Sequence, residues 1–453
     1  MGNLYDVLID RENNKLRVFE AFSGYGSQSM SLRDLEVNHE VVGISEIDPD
    51  AIIAYGSIRY NIDDLHTDKT HDEMRTELMA KNIGKDFKTG KSKIPRMKKA
   101  KLEMLYKFSE ASNNFGDISI INPSDLPNFD YFTYSFPCTD ISVAGKQEGI
   151  VKGATRSGLL YECEKIIEAK RPKYLLMENV KNLVGKQFIN QFKEWCDYLE
   201  SLGYTNYHND YKCINAKDFG IAQNRERIFM VSILGEHKTY EFPKGFKLEK
   251  RLKDFLDTDI EDKYYLSDEI QKRFKQTKKD NGTNNIICYK GKEIELPCVC
   301  ASRGRNPENP SSRESGLPTE QRIELNTKGT SNTITTVQKD NYVLESHRII
   351  CEQRCDEGLR FFKNNICGTI RTIDAGGDKR VIEVEHNYRI RKLTPRECLR
   401  LMGVSDEDIT KMQSVGLSDS SLYKLAGNSI VKNVLDALHQ NLFLEVKMST
   451  PSK

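Results

Sequence analysis

The 453-residue sequence lacks any long apolar run, and it lacks a strong net charge of either sign. No stretch approaches the roughly 18 to 20 apolar residues that a membrane helix needs, so a membrane-spanning protein is excluded. The formal net charge of +1 neither favours nor excludes nucleic acid, because a basic cleft can lie on a balanced surface. An apolar content of 38% with 30% charged residues is typical of a soluble globular protein.

Signals for export and for metal binding are also missing. The stretch MGNLYDVLID has no apolar core with a cleavage site, and we expect a cytoplasmic protein. Eleven cysteines without regular spacing indicate reduced thiols rather than disulfides. No ordered Cys/His set follows the pairs CVC at 298–300 and CEQRC at 351–355, so we predict no metal site.

Short strand-like runs alternate with helical patterns over the first half of the chain. The run KLRVFEA leads into a glycine turn and a helix, and HEVVGIS leads to Asp48 and Pro49, which suit a helix start. Further strand candidates are FDYFTYSFP, PKYLLMENV and RIFMVSIL. This alternation predicts an α/β fold with a doubly wound, mostly parallel sheet of the Rossmann type.

The character of the sequence changes after Pro243, where polar loops separate short β-prone pieces. We therefore predict a first domain over 1–239 and a smaller, irregular β-rich domain over 240–386. Helical spacing returns over 387–453, whose final helix is expected to pack back on the first domain.

An insertion at about 65–112 interrupts the first domain. Its stretch 85–101 carries eight Lys or Arg against one acid. That stretch is either a solvated face or an arm that contacts phosphates.

Glycines and acids follow the first strands of the predicted sheet. Gly24 and Gly26 would let the backbone approach a cofactor, whereas Ser29 breaks the G-x-G-x-x-G fingerprint and disfavours a nicotinamide dehydrogenase. Glu46 ends the second strand and is either a surface acid or an acceptor for ribose hydroxyls. Asp117 is expected at the end of a third strand, facing an adenine amine. Together these groups predict an adenosyl pocket at the carboxyl edge of the sheet.

A thiol, a carboxyl and two guanidinium groups are expected above the same edge. Cys138 and Glu178 follow neighbouring strands, whose carboxyl ends meet. Gln223, Arg225 and Arg227 alternate at strand period and are expected to point one way, unless they form a surface salt-bridge ladder. Cys138 is either a core thiol or a nucleophile, and these neighbours favour the nucleophile.

The ordered motifs resemble those of the DNA (cytosine-5) methyltransferase family. They are FEAFSGYGS, SEIDPDA, GDIS, SFPCTDIS, MENV, QNRERIF, RKLTPRECLRLMG and GNSIVKNV, and they span most of the chain. The resemblance implies a Rossmann-like methyltransferase fold. It also implies transfer of a methyl group from S-adenosylmethionine to C5 of a flipped-out cytosine in a specific duplex DNA sequence, leaving S-adenosylhomocysteine and using no metal.

The resemblance also implies roles for particular residues. Cys138 adds to C6 of the base, favoured as a thiolate by Arg225. Glu178 gives or shares a proton at N3, and Arg227 contacts O2 and orients Glu178. Arg396 has a structural role in holding the recognition domain. The implied cofactor site consists of Phe22, Gly24, Gly26, Glu46, Ile47, Asp117, Ile118, Pro137, Asn428 and Ser429.

The DNA contacts are implied in two places. Thr139 and Ser142 belong to a glycine-containing loop, 139–158, that is expected to close on DNA. Thr139 stands where family members often have glutamine, and Ser27 where they often have glycine. The region 240–386 takes the place of the target-recognition domain. Its candidate base-reading residues are Arg303, Arg305, Arg313, Arg371 and Lys379.

Two alternatives remain beside this interpretation. A transfer-RNA cytosine-5 methyltransferase shares the fold and motif order but has a shorter variable region. A catalytically silent DNA-binding regulator is disfavoured by the intact Cys138, Glu178, Arg225 and Arg227. We expect a prokaryotic or phage enzyme that acts as a monomer on double-stranded DNA, with a cognate restriction endonuclease as a candidate separate partner.

Overall fold

A computed structural model describes most of the chain. The described residues are 15–86, 89–137, 141, 150, 157–267, 286–289, 292–309, 317–326, 328–336, 341–354, 358–362 and 381–444. Several predicted site residues lie outside them, namely Cys138, Thr139, Ser142, Arg313, Arg371 and Lys379. Within the described part, no helix has the length and apolar character needed to cross a membrane.

The chain divides into two compact units. Unit 1 falls within residues 1–221, 225–248 and 399–453, and unit 2 within 222–224 and 249–398. The strands of unit 1 are β1 (Leu16–Ala21), β2 (His39–Ser45), β3 (Tyr131–Tyr134), β4 (Tyr174–Val180), β5 (Tyr204–Tyr207), β6 (Ile214–Asn215) and β7 (Glu226–Leu234). The helices are α1 (Ser27–Asp34), α2 (Pro49–Arg59), α3 (His71–Ala80), α4 (Lys99–Ala111), α5 (Leu160–Lys170), α6 (Ile189–Ser201), α7 (Pro395–Arg400) at the boundary between the units, α8 (Asp406–Ser414), α9 (Asp419–Asn428) and α10 (Lys432–Phe443).

The sheet of unit 1 has the strand order β2-β1-β3-β4-β7-β5, with β6 paired to β7. Neighbours among β1 to β4 are parallel, and β7 runs antiparallel to β4, β5 and β6. The predicted α/β fold is confirmed. Parallel neighbours carry their carboxyl ends to the same edge, so residues that follow β1, β2 and β3 gather there.

Helices cover both faces of this sheet, because alternate strand residues point to opposite sides. On one side Phe19, Phe132 and Met177 share a buried cluster with Trp195 of α6. On the other side His439 of α10 bonds the Tyr131 hydroxyl at 2.8 Å and the Ser31 hydroxyl at 2.9 Å. Helix α10 therefore packs on the sheet whose first strand begins at Leu16.

The starts of helices follow the expected chemistry. The Asp48 side chain caps α2 by accepting from the Asp50 amide at 3.0 Å, and Pro49 occupies the first helical turn.

The prediction of a strand that ends at Asp117 is wrong. A single parallel bridge joins Ile44 to Asn114, and Gly116, at φ +76°, then turns the chain away from the extended path.

Unit 2 is rich in β structure. Its strands are β8 (Ile286–Tyr289), β9 (Lys292–Glu295), β10 (Cys298–Arg305), β11 (Glu320–Leu325), β12 (Tyr342–Arg354), β13 (Gly358–Phe362) and β14 (Val381–Lys392). The larger sheet has the order β11-β10-β12-β13 with β14 on β12, and β8 pairs with β9. Unit 2 extends past residue 386 because β14 pairs with β12 as far as Lys392.

A buried ion pair lies in unit 2. The Arg391 guanidinium, 1% exposed, donates to both carboxylate oxygens of Glu397, at 2.8 and 3.0 Å. Its Nε donates to Glu345 at 3.0 Å. The Asp257 amide donates to Glu397 at 2.9 Å, so the pair joins the start of unit 2 to its end.

Candidate active site

The glycine turn after β1 has a backbone that side chains rarely adopt. Gly24 and Gly26 have φ of +57° and +78°, and Phe22, at +55°, begins the turn. A Cβ on Gly24 would lie 3.5 Å from the Ser429 hydroxyl, so the turn meets the segment that follows α9. Two predicted cofactor regions from opposite ends of the chain are thus adjacent.

The Glu46 carboxylate holds this turn against the start of α2. One oxygen accepts from the Gly24 amide at 2.9 Å, and the other accepts from the Ile47 and Asp48 amides, each at 2.8 Å. Burial raises the pKa of Glu46, and the Asp48 charge adds to this, whereas the three amide donors act in the opposite direction. The oxygen that accepts from Gly24 has further acceptor capacity that a hydroxyl group can use.

Asp117 lies in a loop rather than at a strand end, yet it is fixed. Its Oδ1 accepts from the Ser119 amide at 3.0 Å and so begins the short turn that contains Ile118. Its Oδ2 accepts from Asn82 at 3.0 Å, and its amide donates to the Lys81 carbonyl. The turn after α3 therefore supports Asp117, a contact that the sequence analysis missed.

Arg225 is buried and supports the segment that carries Asn428 and Ser429. Its guanidinium donates to the Ser429 carbonyl at 2.6 Å and to the Gly427 carbonyl at 3.2 Å. Asn428 is exposed at the end of α9, while Ser429 is buried. Nearby, burial raises the pKa of Tyr25 to about 12, against the effects of the Ser429 hydroxyl and the Arg225 charge.

Glu178 and Arg227 form a nearly buried pair on the neighbouring strands β4 and β7. Arg227 Nε lies 3.1 Å from Glu178 Oε1. Burial raises the pKa of Glu178, although the charges of Arg227 and then Arg225 act to lower it. The net shift is upward, which favours a carboxyl that holds its proton at higher pH than a free one.

Two amide side chains anchor the chain on both sides of Cys138. Asn179 donates to the Phe136 carbonyl at 3.1 Å, and Asn182 donates to the Ile141 carbonyl at 2.5 Å. The Ser157 hydroxyl donates to the Pro137 carbonyl at 2.7 Å. Asn179 follows Glu178 in the MENV motif, and that position was the only signal for its role.

Glu20 is a further residue that the sequence analysis missed. It is fully buried on β1 and accepts from the Ser29 amide at 2.8 Å and from the Tyr55 hydroxyl at 2.8 Å. Arg59 lies 3.6 Å from the centre of the Tyr55 ring and donates to the Gly26 carbonyl at 2.9 Å. Ser29, which breaks the dinucleotide fingerprint, thus fastens the start of α1 to β1.

The three polar residues of QNRER do not share one direction of contact. Gln223 accepts from the Ile334 amide at 2.9 Å within unit 2, whereas Arg225 and Arg227 have the partners in unit 1 given above. In unit 2, Arg305 donates to both oxygens of Glu324 at 2.6 Å. Arg303 lies 4.0 Å from the same carboxylate and is 40% exposed. Arg303 is therefore less engaged than Arg305.

Six cysteines are free thiols, namely Cys163, Cys196, Cys213, Cys298, Cys300 and Cys398. Burial raises the pKa of Cys298 to about 12, and burial also raises the pKa of Cys300. In the part of the chain that the structure describes, no group of three or more His, Cys, Asp or Glu is arranged to hold a metal ion.

Comparison with protein families gives one match over most of the chain. Residues 94–444 match the family described as C-5 cytosine-specific DNA methylase.

Curated relatives include bacterial and phage proteins. The Type II methyltransferase M2.ScrFI of Lactococcus lactis subsp. cremoris is 38% identical over 94% of this chain and 99% of its own length. The orphan methyltransferase M.SssI of Spiroplasma monobiae is 36% identical, over 62% of this chain and 76% of its own. The orphan methyltransferase M.SPRI of Bacillus phage SPR is 28% identical over 94% and 97%, respectively.

A solved structure of a DNMT2 mutant from Spodoptera frugiperda shares the fold. Its TM-score is 0.50 at 16% identity, and the alignment covers 95% of this chain and all 100% of the other.

Proposed function

The chain belongs to the C-5 cytosine-specific DNA methylase family, and we propose that it methylates cytosine in a specific duplex sequence through a covalent adduct of Cys138. The observation that carries this proposal is the nearly buried pair of Glu178 and Arg227. Glu178 lies on β4, which pairs with the strand that precedes Cys138, and Arg227 lies on β7, the next strand of the sheet. A carboxyl with a raised pKa at this edge suits a proton donor.

The methyl donor proposed for the glycine turn is S-adenosylmethionine, which supplies an electrophilic methyl group when bound. The residues of the turn fit its adenosyl part. Gly24 has no side chain to obstruct an approaching ligand, and Glu46 has free acceptor capacity for hydroxyls. Asp117 is fixed at a position from which a carboxylate can accept from an amine. No phosphate site is needed for this ligand.

Two residues, Cys138 and Glu178, carry out the bond-forming and proton-transfer steps at the base. The Cys138 thiolate forms a bond to C6, and N3 receives a proton from Glu178, so the ring gains no lasting negative charge. C5 then has the electron pair that takes the methyl group, and S-adenosylhomocysteine leaves. A base, for which we propose water, removes the proton from C5. The bond between Cys138 and C6 breaks as N3 returns its proton to Glu178, and the thiolate leaves. Arg227 contacts O2 of the base and holds Glu178.

The remaining parts of the proposal concern recognition. We assign target recognition to unit 2, with Arg303 as a more available candidate than Arg305. The target base is flipped out of the helix, at a cost of a few kcal/mol. The protein acts as a monomer, and a cognate restriction endonuclease is a separate protein.

Methyl transfer tests the substrate class. The purified protein is incubated with radiolabelled S-adenosylmethionine and either unmethylated duplex DNA or transfer RNA. We expect label in DNA, and label in RNA alone would contradict the proposal. Bisulfite sequencing of the DNA product then gives the target sequence.

A trapping experiment tests the covalent step. In a duplex that carries 5-fluorocytosine at the target position, C5 has no proton to lose, so the adduct persists and survives denaturing electrophoresis. Cys138→Ala should bind the same duplex without trapping it. Trapping by Cys138→Ala would contradict the assignment of the nucleophile.

A further inference from the structure

The insertion between β2 and β3 presents a surface of unpaired positive charge. We call Lys91, Lys93, Arg96, Lys98 and Lys99 the basic surface. All five are exposed, and within the described residues none has a carboxylate partner within 4 Å. Other lysines of the insertion are paired, as Lys101 is with Asp50 at 2.5 Å.

The basic surface stands on a fixed scaffold. Ile94, in the middle of it, is fully buried. The Lys93 amide donates to the Gly84 carbonyl at 3.0 Å, and the Asp86 amide donates to the Lys91 carbonyl at 2.8 Å. A short turn at Ile94–Arg96 leads directly into α4. The backbone that carries these charges is therefore packed against unit 1.

Local stability does not explain these charges. Lys98 and Lys99 lie at the start of α4, where no acidic residue occurs in the first turn and no side chain caps the helix. Cations there oppose the helix dipole, and like charges so close together repel one another. An external polyanion would remove both costs.

The scaffold is joined to the edge of the sheet where the cofactor is proposed to bind. The Gly84 amide donates to the Ile47 carbonyl at 2.7 Å, and Asn82 donates to Asp117 at 3.0 Å. The proposed function brings duplex DNA to this edge, and a duplex carries one backbone charge per roughly 1.7 Å of its axis.

We propose that the basic surface binds backbone phosphates of duplex DNA that flank the target cytosine. The contact is independent of sequence and adds affinity without reading bases. It rests on the proposed function, because that function brings duplex DNA to this edge.

The salt dependence of binding tests the proposal. The test variant is Lys93→Gln/Arg96→Gln/Lys98→Gln, and its affinity for a fluorescent duplex is measured from 50 to 200 mM NaCl. Each lost phosphate contact lowers the slope of log K against log salt by about 0.9, so three contacts give about 2.7. Over this range the wild type should then lose about 40-fold more affinity than the variant.

The matched control is Lys15→Gln/Lys165→Gln/Lys193→Gln, which removes three charges at exposed positions before β1 and on α5 and α6. Its slope should stay close to that of the wild type. An equal loss in the control, or an unchanged slope in the test variant, would overturn the assignment. The same titration is repeated with transfer RNA. If the test variant loses affinity for transfer RNA and not for the duplex, duplex DNA is the wrong ligand for the basic surface.

Further measurements show whether the test variant is folded and whether its active site is intact. The melting temperature and the S-adenosylmethionine affinity of the test variant should match the wild type, and kcat at saturating DNA should change less than about twofold because the reacting groups are untouched. If wild-type protein transfers no methyl group yet the test variant shows the predicted change in slope, the proposed function fails and the assignment of the basic surface stands.

Discussion

The Arg225 guanidinium donates to the Ser429 carbonyl at 2.6 Å, although the two residues lie 204 positions apart. Ser429 in turn lies beside the glycine turn, and Arg227, two residues from Arg225, pairs with Glu178. One short stretch before and within β7 thus supports both the proposed cofactor turn and the proposed acid.

Arg225→Lys should weaken S-adenosylmethionine binding by about tenfold, because the shorter lysine side chain cannot place its nitrogen where one Arg225 nitrogen bonds both the Gly427 and the Ser429 carbonyl. A hydrogen bond from a charged group contributes about 1.5 to 3 kcal/mol. Calorimetric titration measures the affinity. Arg227→Lys is the matched control, which should leave cofactor affinity near that of the wild type and lower kcat. Unchanged binding in Arg225→Lys would show that Ser429 holds its position without it.

Glu178→Gln should lower kcat by about 100-fold to 10,000-fold, because the amide cannot give a proton to N3. Single-turnover methyl transfer measures the rate. Affinities for DNA and cofactor should stay within a few-fold of wild type. A variant with nearly normal rate would exclude Glu178 as the proton donor.

The pH profile tests the same carboxyl through its neighbour. If the protonated form of Glu178 acts, kcat/KM falls as pH rises above its pKa, which burial has raised. Arg227 lowers that pKa, so Arg227→Leu should raise it and move the alkaline limb to higher pH, while the maximum falls. An alkaline limb at the same pH in both proteins would contradict this assignment.

The two glycines of the turn should respond differently to alanine. At Gly26 a Cβ would lie 2.5 Å from Tyr55 Cε2 and closer still to Arg59, so Gly26→Ala should destabilise the fold by about 3 kcal/mol. At Gly24 there is space, and the positive φ alone costs about 1 kcal/mol. Gly24→Ala should therefore fold and lose cofactor affinity, which melting curves and titration distinguish. Equal melting temperatures for the two variants would contradict the steric argument.

His439 should make the protein sensitive to acid. Burial, with the charges of His39 and Lys432, lowers its pKa from 6.5 to about 3. Below pH 6.5 the unfolded chain binds a proton that the folded chain does not, so the free energy of unfolding falls by about 1.4 kcal/mol per pH unit. Between pH 7.5 and 5, wild type should lose about 2 kcal/mol more than His439→Gln. Denaturant unfolding at both pH values measures the difference, and parallel losses would contradict it.

Glu397→Gln should destabilise unit 2 by about 3 kcal/mol, because it leaves the buried Arg391 with Glu345 as its remaining carboxylate partner. Glu324→Gln is the matched control, since its Arg305 partner lies in a more exposed pair that contributes less than about 1 kcal/mol. Thermal unfolding with a probe in unit 2 compares them. Similar melting temperatures would show that the burial of Arg391 tolerates the lost charge.

The sequence was sufficient to predict the parallel strands and the meeting of Gly24 with Ser429, because periodicity and ordered motifs carry that information. It could not show that Asp117 follows a single bridge rather than a strand, since the turn at Gly116 depends on packing against Lys81. Glu20 could not be identified from the sequence, because its partners Ser29 and Tyr55 come from two different helices. Hydrogen bonds between distant segments leave no local pattern.

The packing of α10 on the sheet has a consequence for synthesis on the ribosome. The face of β3 that carries Tyr131 is covered by His439 and Phe443, which are translated only after unit 2. A nascent chain that has emerged as far as β7 holds every strand of the sheet and still exposes this apolar face. Unit 1 therefore reaches its native state late in translation, and until then this apolar face of its sheet lacks its covering helix.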